Sequence, residues 1–129
     1  MRVRIFLLTL MLGIFLCAAV CAVESAEQSM VVTATAFNSV SSQTDLHPSI
    51  AAWGDRLKPG MKAVAVSRDL IEEGFTRRTT LRIEGMEGEY VVLDKIASRH
   101  TKRIDIYMGT DIQKARQFGV RQLRIYWND

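Results

Sequence analysis

Two aspartates sit where a carboxylate is costly. Asp94 closes the run Tyr90-Val-Val-Leu-Asp94, and Asp105 lies between Ile104 and Ile106. Successive side chains of a strand point to opposite faces. Ile104 and Ile106 therefore face one way, and Arg103, Asp105 and Tyr107 the other. A carboxylate on a strand built for burial is disfavoured unless something neutralises or uses it. The basic segment Lys95 to Lys102 can fold the two strands together. Two carboxylates in one groove raise each other's affinity for a proton, and a carboxyl protonated near neutral pH is what general-acid chemistry requires. The competing reading of Asp105 is an ion pair with Arg99, Lys102 or Arg103, which would lower its pKa. For Asp94 the competing reading is a turn cap at a strand end.

Other chemistry has weaker support. His47 and His100 are far apart, without ligand spacing, so neither a metal nor a cofactor is expected. No glycine-rich phosphate loop is present. Ser67 reads as a turn former rather than a nucleophile. Lys95, Arg99, His100, Lys102 and Arg103 form a basic cluster suited to attracting carboxylates, or a solvated loop. Trp53 can stack on a sugar face or pack against the domain.

The elements that must position these residues follow from patterning. Met30 to Phe37 reads as a strand with Val31, Thr33, Thr35 and Phe37 on one face. Asn38 to Gly60 is a long connection, a length that in small domains often carries function. Lys62 to Val66, Thr79 to Glu84, Glu89 to Asp94, Arg103 to Tyr107 and Gln122 to Trp127 are further strands. Leu81 and Ile83 are expected inside, and Gly85-Met-Glu-Gly88 forms a hairpin loop. Ser67 to Gly74 is left as one helical turn or an irregular bend. The one helix runs over Thr110 to Phe118, capped by Thr110 with Gln113 completing a capping box, and stopped by Gly119. The fold class expected is mainly β: six short strands and one short helix, closed into a small barrel that leaves no exposed edge, with a sandwich as the alternative.

The first residues belong outside this domain. Met1-Arg-Val-Arg4 is basic, Ile5 to Ala22 is almost wholly apolar, and small residues follow at Ala22 and Ala26. This is the layout of a signal peptide over residues 1–22, with an uncleaved anchor as its rival. Cleavage removes Cys17 and Cys21, the only cysteines, and Arg2 and Arg4, taking the net charge from +3 to +1. An exported chain of near-neutral balance does not suit nucleic-acid binding. Residues 23–29 read as a flexible lead-in, and 30–129 as one domain, expected to be monomeric and without a stable membrane span after processing.

Four segments carry a family likeness: Val32-Thr-Ala-Thr-Ala-Phe37; Ala63-Val-Ala-Val-Ser67; Tyr90-Val-Val-Leu-Asp94 with Arg103-Ile-Asp-Ile-Tyr107; and Ala115-Arg-Gln-Phe-Gly-Val120. In that order and spacing they resemble the 3D (Asp-Asp-Asp) domain. The resemblance implies a six-stranded double-psi β-barrel related to the catalytic barrel of membrane-bound lytic transglycosylase A. It implies an exported enzyme, in the periplasm, at the outer membrane or outside the cell. Its partner would be the peptidoglycan glycan strand, cut between N-acetylmuramic acid and N-acetylglucosamine to leave a 1,6-anhydro end. Asp105 matches the acid/base and Asp94 the supporting aspartate, while Thr33, Thr35, Phe37, Ser67, Arg103 and Tyr107 are the implied substrate-binding residues. Two positions depart from the pattern. Ser67 stands where the family has its first aspartate, with Asp69 two residues on, and Lys95-Ile-Ala97 replaces a glycine-containing turn. A glycan-binding module without activity, or an envelope scaffold, is the alternative on the same barrel.

Overall fold

A computed structural model describes residues 26–40 and 49–128. The local patterns resolve into six strands: β1 (Glu27–Phe37), β2 (Ala63–Val66), β3 (Thr80–Ile83), β4 (Glu89–Lys95), β5 (Arg103–Tyr107) and β6 (Arg121–Asn128). Two helices accompany them, α1 (Arg68–Glu72) and α2 (Ile112–Phe118). The strands close in the order β1-β5-β2-β4-β3-β6. Pairings are mixed: β1–β5 and β2–β4 run parallel, the other four antiparallel. This closed, mixed six-stranded barrel is compatible with a double-psi arrangement. The expected leader, residues 1–22, and His47 lie outside the described residues.

Alternation builds the core. Val32 and Ala34 of β1, Val64 and Val66 of β2, Leu81 and Ile83 of β3, Val92 of β4, Ile104 and Ile106 of β5 and Ile125 of β6 all point inward. Leu70, Phe75 and Phe118 pack against this cluster from outside the strands. A second cluster of Ala51, Leu57, Ala63, Leu93 and Tyr107 lies between the long connection and the outer face of the barrel.

Four local features settle, change or add to these expectations. The segment after Ser67 is a second helix, α1, held because Leu70 is fully buried. The lead-in is shorter than patterning suggested: Glu27 to Ser29 extend β1 because β6 supplies partners as far as Asn128. α2 is capped by Asp111, whose side chain accepts from the Lys114 amide, rather than by Thr110. A carboxylate at the cap also favours the helix dipole. The pairing of β2 with β4 skips one residue, since Val64 faces Val92 but Ala65 faces Asp94. Gly119 does end α2, with φ of 62°, a conformation that favours glycine.

Candidate functional site

The strand register assembles a row across four strands. Asp94 on β4 is the partner of Ala65 on β2, Ala65 of Asp105 on β5, and Asp105 of Thr35 on β1. Two features aim both carboxylates outward. On β5, plain alternation with Ile104 and Ile106 turns Asp105 away from the core. On β4, strict alternation would put Asp94 with Tyr90 and Val92, facing inward. The extra residue at Leu93 re-aims it to the face of Ala65. Bulges frequently redirect a side chain in this way. Both aspartates line one cavity of about 330 Å³, with Phe37, Lys95, Arg99, His100 and Arg103 among its other walls. That is the lower end of the range for small-molecule sites.

The two carboxylates share this cavity. Neighbouring strands lie about 4.8 Å apart, so backbones two strands apart are separated by about 10 Å. Asp94 and Asp105 flank Ala65 on the strand between them, and the charge of Asp94 acts on Asp105. The small side chain of Ala65 forms the floor between them.

Asp105 is half-buried, and burial pushes its carboxyl above the usual aspartate value. The Thr35 hydrogen bond and the Arg103 charge pull the other way, the Asp94 charge adds to the rise, and the net direction is up. No salt bridge reaches Asp105 among the described residues. Arg103 is engaged elsewhere: Nη2 donates to Thr35 Oγ1 at 3.0 Å, and Nη1 lies 3.2 Å from His100 Nδ1. Thr35 in turn donates to Asp105 Oδ1 at 3.0 Å. With its oxygen accepting from Arg103, Thr35 has its single proton directed to Asp105. The chain His100, Arg103, Thr35, Asp105 is thus polarised in one sense. A guanidinium only donates, so His100 Nδ1 is the acceptor and any ring proton of the neutral form sits on Nε2. Partial burial and the charges of Arg103 and Arg99 accordingly push His100 below its ordinary pKa.

Asp94 has structural duties. Its Oδ1 accepts from the amides of Lys95, at 2.9 Å, and of Ala52, at 2.8 Å. The second bond ties the long connection to β4. That connection is also held by a forked pair in which Arg77 grips both oxygens of Asp55, at 2.8 and 2.6 Å. Trp53 packs against the core, with the Lys95 ammonium 4.8 Å from its ring centroid. Asp69 anchors the opposite rim: its Oδ2 accepts from the amide of Lys102, a residue held at φ of 49°.

Of the residues singled out in the sequence, Asp94, Asp105, Arg103 and Phe37 line the cavity, and Thr35 is hydrogen-bonded to Asp105 and Arg103. Three others stand apart. Thr33 accepts from the side chain of Gln122. Ser67 is fully buried and accepts from the Arg103 amide, which positions β5. Tyr107 is buried against Phe37, at 5.4 Å between ring centroids, with its hydroxyl 2.7 Å from Ser39 Oγ. It borders a neighbouring cavity of about 320 Å³ near Gly109, where a Cβ would lie 3.3 Å from Pro59. Ala65 and the His100–Arg103 bond escaped the sequence reading. The alternation of small with branched residues in Ala63-Val-Ala-Val66 was the available signal for the floor. Comparison with protein families and with curated proteins finds no match to this chain. No three His, Cys, Asp or Glu side chains converge to hold a metal among the described residues.

Proposed function

We propose that this chain is an exported enzyme that cuts the glycan strand of peptidoglycan between N-acetylmuramic acid and N-acetylglucosamine, as lytic transglycosylases do. The observation that carries the reading is Asp105: a half-buried carboxyl with raised pKa on the wall of an open groove, one oxygen held by Thr35. Oδ1 is occupied by the Thr35 proton, so Oδ2 is the oxygen that carries the acid proton. Protonation of the glycosidic oxygen by Oδ2 lets the bond to C1 break. The muramic 6-hydroxyl then forms the new bond to C1, and Oδ2 takes back the hydroxyl proton. No water is consumed, so no second carboxylate is needed to activate one, unlike the usual two-carboxylate scheme. Thr35 stabilises the carboxylate that forms when the proton leaves, and Arg103 keeps Thr35 aligned.

A second reading has its own observation. Lys95, Ile96 and Ala97 line the cavity, bulkier than the glycines of the family pattern, which suits a glycan-binding module without turnover. Digestion of purified glycan strands, followed by end-group analysis, separates the two. Products ending in the 1,6-anhydro ring are expected. New reducing ends overturn the single-acid route, and binding without new ends establishes the second reading.

A further inference from the structure

The walls of the groove are unequal in charge. Asp94 and Lys95 lie together on the β4 side with opposite charges, whereas Arg99 and Arg103, with His100 between them, leave the opposite rim with an excess of positive charge. Arg99 is exposed at the mouth. Arg103 is partly buried, and its Nε is shielded from solvent with no hydrogen-bond partner among the described residues. Two donors of its guanidinium are used by Thr35 and His100, which fixes the plane of the fork and leaves further N–H groups on it. Arg103 stands two residues from Asp105 on the same face of β5, about 7 Å along the strand. Lys102, just outside the rim, adds charge of the same sign.

We propose that the Arg99–His100–Arg103 rim is a carboxylate-binding subsite that selects saccharides carrying a free carboxylate on, or next to, the sugar at Asp105. This rests on the glycan-cleaving reading and names its substrate class. A guanidinium fork recognises a carboxylate by charge and by paired N–H donors. Two guanidinium groups on this rim face one offset cation on the other, so the anion sets the direction in which the strand lies. In a muramyl glycan the carboxylate has two sources. The lactyl ether supplies it where the stem peptide is absent, and the stem peptide supplies it where present.

The test measures binding, not cleavage, so it stands apart from the fate of the enzymatic reading. Dissociation constants are determined for the whole processed protein with three probes of equal length: an N-acetylglucosamine oligomer, a peptide-free muramyl glycan and a peptide-bearing muramyl glycan. At least one charged probe is expected to bind about tenfold or more tighter than the neutral one, the scale of a charge-assisted hydrogen bond. A preference for the peptide-free strand assigns the lactyl carboxylate, and one for the peptide-bearing strand assigns the stem. Arg99→Gln should shrink the charged-to-neutral ratio about threefold or more, the scale of one partly exposed pair. Lys114→Gln, which removes the same charge beside the neighbouring cavity, should leave that ratio unchanged. Equal affinities for all three probes overturn the proposal. So does a ratio that falls equally in both variants, since that is the effect of net charge alone.

Discussion

Asp105 tests the reading most directly. Asp105→Asn keeps the shape and the acceptor for Thr35 but cannot cycle a proton, so glycan cleavage should fall by about 10²-fold or more. The same variant has a stability signature. A carboxyl whose pKa is raised on folding binds more protons in the native than in the unfolded chain. Its contribution therefore declines as pH rises from the ordinary aspartate value through the folded value, and is level above it. Thermal unfolding followed across pH should show this decline in the parent relative to Asp105→Asn. A constant difference between the two would mean that burial does not perturb the carboxyl. Its neighbours act in opposite senses. Removing the Arg103 charge with Arg103→Gln should move the alkaline limb of the activity profile to higher pH, and Asp94→Asn should move it to lower pH. The Asp94 effect should be the smaller, because the Arg103 charge acts on Asp105 more strongly than the Asp94 charge does. Limbs that move together would exclude direct charge effects.

At the scale of elements, the long connection depends on few bonds. Asp94→Ala removes the acceptor of the Ala52 amide and should loosen the loop from Ser49 to Gly60 at a cost of about 1 kcal/mol. Limited proteolysis should cut that loop faster while the barrel stays intact. Unchanged cleavage there would show that the Arg77–Asp55 fork and the Leu57 contact hold the loop alone. Elements with strong periodicity were legible in the sequence. Ile104 and Ile106 announced β5, Leu81 and Ile83 announced β3, and Gly85 and Gly88 marked the hairpin between β3 and β4. What escaped was set by non-local partners. The bulge at Leu93 exists only against β2, and the added strand length at Glu27 only against β6. No local pattern encodes that Arg103 serves Thr35 rather than Asp105, since Thr35 lies on a strand 68 residues away. The face of Asp105 was readable, whereas the width separating it from Asp94 was not, because a third strand lies between them.

For the whole molecule, the barrel core sets the stability against which these effects are measured. Ile104 is fully buried beneath the groove, so Ile104→Ala should cost about 2–5 kcal/mol in denaturant unfolding. Val120→Ser, at a position 73% exposed, should cost little by comparison. Among the described residues no helix is long and apolar enough to cross a membrane. The parallel pairing of the first strand with the fifth has a consequence for time rather than for shape. Thr35 and Asp105 are 70 residues apart, and the strand between Asp94 and Asp105 arrives from elsewhere again. Closing such long loops comes before any contact repays it, and topologies of this kind fold slowly. Until closure, Asp105 is a solvated carboxyl of ordinary acidity, charged at neutral pH. On the proposed reading the unfolded chain is latent, and completion of the barrel is the event that raises the hold of Asp105 on its proton.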